Sequence, residues 1–136
     1  MNKKNVLVYG TFDLFHYGHL ELLKKSKELA NKMGGKLIVA ASSDRWAKES
    51  GKNVIINECE RIEIIKSIKY VDKAFINDKK CEDRLLDVIE NDVAIVIIDE
   101  KHKKHYEYLN NICCVMSFER TKGISTSEIK KRIKNG

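Results

Sequence analysis

The stretch that most constrains this chain runs from Val6 to His19 and reads VLVYGTFDLFHYGH. The apolar run Val6-Leu7-Val8-Tyr9 ends at Gly10. A helical pattern begins by about Gly18 and places Leu20, Leu23, Leu29 and Met33 at roughly helical spacing, with Lys24, Lys25 and Lys27 largely on the other side. Gly34-Gly35 ends it, as glycine does at a helix C-terminus. Strand, loop and helix in this order set a helix N-terminus beside the carboxyl end of a strand. Backbone N–H groups without intrahelical partners and the positive end of the helix dipole meet there, which suits a phosphate. Gly10 lets the backbone approach a ligand closely. His16 and His19, three residues apart, bring two imidazoles to the same place.

The rest of the chain repeats the strand-then-helix alternation. A second apolar strand over 37–41 is followed by Ser42-Ser43-Asp44. Residues 45–56 lack a clear period and read as a loop with a short helical turn. Asn57, with Glu60 three residues on, starts a helix that carries Arg61, Ile62, Ile65 and Ile68. Short strands are expected over 73–76 and 94–98, and a longer one over 112–118. Helices are expected over 81–90, with Leu85, Val88 and Ile89 on one face, and over 102–109. Ser125 or Thr126 caps a last helix, and Ser125 with Glu128 has capping-box spacing. Five alternations without a repeat or linker predict a single α/β domain over 1–136, an open, doubly wound parallel sheet with helices on both faces. Ligands in such sheets bind outside the carboxyl ends of the strands, at the topological switch point. Gly10, Ser42, Asp99 and Arg120 all follow expected strand ends, so their neighbourhoods converge on one cleft.

Composition narrows the class. The hydrophobic share of 43% excludes a disordered chain. No apolar run approaches the roughly 18–20 residues of a membrane helix, and the run after Met1-Asn2-Lys3-Lys4 is too short for a signal peptide. A cytoplasmic protein without a membrane partner is the expectation. The net charge of +6 is compatible with nucleic acid or with small polyphosphates. The lysines are dispersed and no aromatic-rich basic strand offers a stacking platform, so nucleic acid is not the expected partner. The four cysteines, Cys59, Cys81, Cys113 and Cys114, have no CxxC spacing and are expected to be buried free thiols rather than zinc ligands. His102 and His105 have metal-pair spacing, but Lys101, Lys103 and Lys104 surround them, so no protein-held metal is expected.

Gly10-Thr11-Phe12-Asp13 followed by His16-Tyr17-Gly18-His19, together with Arg120-Thr121-Lys122-Gly123-Ile124-Ser125-Thr126-Ser127, resembles the cytidylyltransferase branch of the HxGH nucleotidyltransferases. Within that branch the resemblance is greatest to bacterial enzymes acting on glycerol 3-phosphate, and it covers nearly the whole chain. It implies a Rossmann-like sheet of order 3-2-1-4-5, a homodimer, and transfer of CMP from CTP, with substrate-bound Mg²⁺, to a small phosphorylated alcohol. Glycerol 3-phosphate is the first expectation, giving CDP-glycerol and pyrophosphate. Ethanolamine phosphate, choline phosphate or a sugar phosphate as acceptor, ATP as donor, and a nucleotide-binding regulatory protein without turnover are the alternatives.

The same resemblance implies residue roles. His16, His19, Lys52 and Arg120 are the catalytic set. Tyr9, Gly10, Thr11, Phe12, His16, Gly18, His19, Arg120, Gly123, Ile124, Ser125 and Thr126 form the nucleotide site. Lys52, Arg61 and Asp13 face the acceptor, and Lys101, where this chain departs from the pattern, is expected at the same edge of the cleft. Several positions also have plainer readings: Thr11 as a helix cap, Asp13 as an organiser of its loop, and Lys52, Arg61 and Lys101 as ordinary surface cations. The departure from the pattern follows the fourth strand. Where the glycerol-phosphate enzymes resemble one another in Gly-Asp-Asp-Trp, this chain has Asp99-Glu100-Lys101-His102. Catalysis is therefore expected to be intact, while that edge leaves the identity of the substrate open.

Overall fold

Tertiary packing decides which of these local signals become elements. The computed structural model describes residues 3–136, apart from the side chain of Glu82. Strands β1 (Asn5–Gly10), β2 (Leu37–Ser42), β3 (Lys73–Asn77), β4 (Val93–Ile97) and β5 (Cys114–Met116) form one sheet in the order β3-β2-β1-β4-β5. Every pairing is parallel. Alternation along β1 shows why the strand is apolar throughout: Val6 and Val8 enter one core, Leu7 and Tyr9 the other. Helices α1 (Tyr17–Lys32) and α3 (Glu58–Lys66) supply Leu23, Ala30, Ile62 and Ile65 to the first core. Helix α4 (Leu85–Glu90) and a run of 3₁₀ turns over Glu100–Asn111 supply Val88, Tyr106 and Leu109 to the second. Helix α2 (Asp44–Glu49) and helix α5 (Thr126–Asn135) lie at the carboxyl ends of β2 and after β5. No helix among the described residues is long and apolar enough to cross a membrane.

The departures from the sequence reading have local causes. The helix expected over 81–90 is a 3₁₀ turn, Cys81–Asp83, followed by α4, with the break at Arg84. The Tyr108 hydroxyl sits in the break: it accepts from Arg84 N at 3.0 Å and donates to the Cys81 carbonyl at 2.5 Å. Leu85 and Ile89 consequently face solvent, and only Val88 of the expected apolar face is buried. The fifth strand shrinks to three residues because Ile112 N and Cys113 N bond back to Leu109 O. The fourth starts earlier, at Val93. The stretch read as a loop contains α2, capped by Ser43, whose Oγ accepts from Trp46 N at 3.0 Å. The cysteines are free, but Cys59 and Cys114 are exposed rather than buried, and Cys81 and Cys113 are half-buried.

Candidate active site

The cap of α1 is His16, not Thr11. Its backbone is extended (φ −137°, ψ −179°), and its Nδ1 accepts from Gly18 N at 3.0 Å. His19 reaches back, its Nδ1 accepting from His16 N at 3.2 Å. Two imidazoles thus close a reciprocal capping box, a task more often done by Ser and Glu. An imidazole that accepts at Nδ1 carries its proton on Nε2 when neutral. Both rings therefore present an Nε2–H donor, and they stack with centroids 3.8 Å apart. Gly18 makes room for the arrangement, since a Cβ there would stand 2.8 Å from His16 Cε1.

Burial keeps these rings neutral. His19 packs against Phe12 and Phe15, at 5.4 and 5.3 Å between centroids. Desolvation, helped by His16 and opposed by Asp13, lowers its pKa to about 3. Desolvation also lowers the pKa of His16. The sign of the linkage follows. Below about pH 6.5 the unfolded chain takes up a proton on His19 that the native state refuses until about pH 3. His19 alone should therefore remove about 1.4 kcal/mol of stability per pH unit across that window. In His19→Asn the Oδ1 replaces the Nδ1 acceptor but cannot titrate. The fall in stability between pH 6.5 and 5 should shrink by about 2 kcal/mol, measured by urea unfolding at both pH values. An undiminished fall would place the acid-sensitive group elsewhere.

The loop before the cap is built around Asp13, which is 4% exposed. Its carboxylate accepts from Leu14 N, Ile55 N and Ile56 N at 3.1, 2.8 and 2.9 Å. Phe12 and Leu14 on either side have φ of +59° and +50°, unusual for bulky residues, and this network holds them. Asp13 is thus engaged by the protein's own amides and organises its loop. Gly10 is required by its own neighbour, because a Cβ would stand 2.8 Å from the Phe12 ring. Phe12 itself is buried in the first core, and Tyr9 points to the other face, its hydroxyl donating to Asp87 Oδ2 at 2.9 Å. The Phe12 ring thus supports His19 from the buried side, and the Tyr9 hydroxyl is engaged by Asp87.

Arg61 also departs from its expected role. It is 1% exposed, and its guanidinium donates to Ile56 O, Thr11 O, Ser42 O and Asp44 Oδ1 at 2.6–2.9 Å. It staples the loops after β1 and β2 together, and four of its N–H bonds are taken up within the protein. Lys52 is different. Its Nζ reaches across to Thr11 Oγ1 at 3.0 Å. The residue is exposed, and its ammonium feels the charges of Asp99, Lys101 and Arg120. Desolvation lowers its pKa; Asp99 opposes this, while Lys101 and Arg120 add to it. A cation so crowded by cations gains from an incoming polyanion.

Arg120 enters from beyond β5 and pairs with Asp99 Oδ2, while Asp99 Oδ1 caps the 3₁₀ run by accepting from Lys101 N at 3.0 Å. Burial pushes Asp99 up, but the Lys101 N–H and the Arg120 guanidinium outweigh it and hold the carboxyl below its usual range. Lys101 is exposed beside this pair, and His102 is half-buried, its pKa lowered by desolvation and then by Lys52. The second motif closes on the first through Ile124, whose Cγ2 lies 3.4 Å from where a Gly18 Cβ would be. Gly123 has φ +82°, and Ser125 caps α5 by accepting from Glu128 N at 3.1 Å. The Thr126 hydroxyl is not a free phosphate donor, because it donates to Asp13 O at 2.8 Å. A recess of about 280 Å³ opens beside Gly123, Ile124, Ser125, Glu128 and Arg132. A larger groove of about 370 Å³ lies at the amino ends of the strands, near Lys36, Asp72 and Asn91, away from both motifs.

Some partners were not legible. Nothing in the sequence marks Asp44 as the ion-pair partner of Arg61, or Asp99 as that of Arg120. Lys130 donates to Asn53 O at 2.5 Å and lies 3.8 Å from Asp13 Oδ2. Its position four residues after Thr126, on the same face of α5, was the available signal.

A five-stranded parallel sheet with phosphate-type donors gathered at the carboxyl ends of its strands defines a Rossmann-like nucleotide-binding fold. The chain belongs to the cytidylyltransferase-like family, whose model matches residues 7–132. It is 35% identical over 130 residues to a glycerol-3-phosphate cytidylyltransferase of Bacillus subtilis (strain 168), covering 96% of this chain and 97% of that protein. It is also 32% identical over 136 residues to an FAD synthase of Methanothermus fervidus, covering 92% of this chain and 91% of that protein. Among solved structures, the lipopolysaccharide core biosynthesis protein of Thermoplasma volcanium GSS1 superposes with a TM-score of 0.70 at 27% identity, over 87% of this chain and 98% of that one.

Proposed function

We propose that this protein transfers CMP from CTP to a small phosphorylated alcohol, with glycerol 3-phosphate the first candidate, releasing pyrophosphate. The observation that carries the reading is the pair of neutral, Nε2-protonated histidines at the start of α1, facing the Lys52–Arg120 cluster. An oxygen of the acceptor phosphate attacks the α-phosphorus in line, and the bond to the bridging oxygen of pyrophosphate breaks. That attacking oxygen is already anionic near neutral pH, the second pKa of a phosphate monoester being about 6, so no general base is needed. The protein's task is to orient the two phosphates and stabilise growing negative charge. The two Nε2–H groups and the N-terminus of α1 serve the α-phosphate, Lys52 bridges donor and acceptor, and Arg120 with the Gly123–Ser125 segment holds the leaving phosphates. Among the described residues no group of three His, Cys, Asp or Glu is placed to cage a metal. On this reading the nucleotide binds as its magnesium complex, the ion held mainly by the substrate's phosphates and water.

The likeness to an FAD synthase supports a second reading, ATP as donor with a flavin phosphate as acceptor. Pyrophosphate release, measured with CTP and with ATP against glycerol 3-phosphate, ethanolamine phosphate, choline phosphate, sugar phosphates and flavin mononucleotide, separates the two. CTP turnover with a small phosphorylated alcohol is expected, and turnover confined to ATP with flavin mononucleotide would replace the first reading by the second.

Lys101 should tune that acceptor choice. It stands beside the Asp99–Arg120 pair, where the glycerol-phosphate enzymes have an acidic residue. A charged hydrogen bond is worth about 1.5–3 kcal/mol. Where the preferred acceptor is one other than glycerol 3-phosphate that bonds Lys101, Lys101→Asp should lower its kcat/KM about ten- to a hundredfold and shift preference towards glycerol 3-phosphate. Unchanged ratios across the panel would make Lys101 a solvated surface lysine.

A further inference from the structure

We infer that Lys130, on the last helix, is a positioning residue for Lys52. It latches the loop that carries Lys52 to the helix whose N-terminus forms the second half of the cleft. The effect on turnover rests on the nucleotidyl-transfer reading; the effect on the loop rests on geometry alone.

Residues 51–57 have no regular structure of their own. Three tethers fix the segment after Lys52. Lys130 Nζ donates to Asn53 O at 2.5 Å. The Asp13 carboxylate receives Ile55 N and Ile56 N. Arg61 Nε holds Ile56 O at 2.8 Å. Of these, the Lys130 bond falls nearest Lys52, one residue along the chain. Lys130 is partly buried, whereas Lys131 and Lys134 on the same helix are exposed. Its charge is answered by Asp13 Oδ2 at 3.8 Å, so it serves the protein rather than a phosphate. The same Asp13 accepts, through its carbonyl, the hydroxyl of Thr126 one turn earlier on α5. Helix α5, the Asp13 hub and the Lys52 loop are therefore one connected body. Fixing the start of α5 by filling the Gly123–Ser125 segment also fixes the loop that aims Lys52, and the coupling is reciprocal. The Lys52 amide is itself held, donating to Ala47 O at 2.9 Å, so the latch fixes the chain on the carboxyl side of Lys52; without it Lys52 keeps its charge and chemistry but is anchored from one side only, and a displacement of about 1 Å at a reacting centre can cost up to about a hundredfold in rate.

The test uses the whole protein with Lys130→Met, which keeps the stem and removes the donor, and Lys130→Arg, which restores a donor. Amide hydrogen exchange of residues 53–56 is followed in the free protein, with kcat, KM for CTP and Tm measured alongside. Lys130→Met should exchange these amides about tenfold faster and lower kcat about tenfold, with KM for CTP within about twofold and little change in Tm; Lys130→Arg should recover most of both losses. Unchanged exchange would overturn the latch. Faster exchange with wild-type kcat, or a loss of kcat accompanied by a matching loss of CTP affinity and Tm, would overturn the positioning role. Faster exchange in a protein whose wild type transfers no nucleotide would uphold the latch and overturn the functional reading on which the kcat arm stands.

Discussion

Replacing His16 with alanine should lower turnover by about 10²–10³-fold while costing only about 1 kcal/mol of stability. The two effects come from opposite sides of one ring. Nδ1 accepts from Gly18 N and caps α1; on the proposed reading Nε2–H is the donor that meets substrate. The cap is a local interaction of ordinary size. A fixed donor aimed at developing charge in a desolvated site counts for more, about 3–4 kcal/mol of barrier. His16→Asn separates the roles, because its Oδ1 can take over the cap while no donor reaches the Nε2 position. Turnover should stay as low as in the alanine variant, with stability returned to near wild type. Urea unfolding beside kcat at saturating nucleotide checks both. A His16→Ala protein with near-normal turnover would move the nucleotide away from the start of α1.

Arg61→Met should be the most destabilising single change, about 3–5 kcal/mol. The substitution removes a fully buried guanidinium and strands the acceptors it satisfies. Thr11 O, Ser42 O and Ile56 O lose their side-chain donor, and Asp44 loses its ion-pair partner. Arg61→Lys should recover only part, since an ammonium cannot match four bonds fanned out from one planar group. If Arg61 instead met the acceptor phosphate directly, Arg61→Met would raise the KM for acceptor with the midpoint of urea unfolding unchanged. That outcome would contradict the buried geometry.

These two arginines show where sequence stops being legible. The alternation of apolar runs and helical periods sufficed for the doubly wound sheet, because strands covered on both faces must be apolar throughout and helices between them must be amphipathic. The candidate site was placed from where β1 ends. The division of labour within it was not legible. Arg61 and Arg120 are chemically identical, yet one is consumed by backbone carbonyls and the other keeps a single carboxylate partner in an open cleft. That difference depends on which loops meet at Thr11 and Ser42, a tertiary fact. Asp13 is the converse case. Its sequence context offers both an acceptor-facing carboxylate and an organiser of the loop, and the three amides it accepts from, of Leu14, Ile55 and Ile56, show it in the second position. The break at Arg84 was hidden for a similar reason, since the hydroxyl that opens the helix comes from Tyr108.

Phosphorus NMR of the wild-type protein with magnesium, CTP and glycerol 3-phosphate tests the central claim most directly. The account predicts that the acceptor's monoester signal is replaced by a pair of coupled diphosphate signals, with one pyrophosphate formed per CTP consumed, and that His16→Asn slows both changes together. A CTP spectrum left unchanged with every phosphorylated alcohol offered, or pyrophosphate formed at the wild-type rate by His16→Asn, would contradict it.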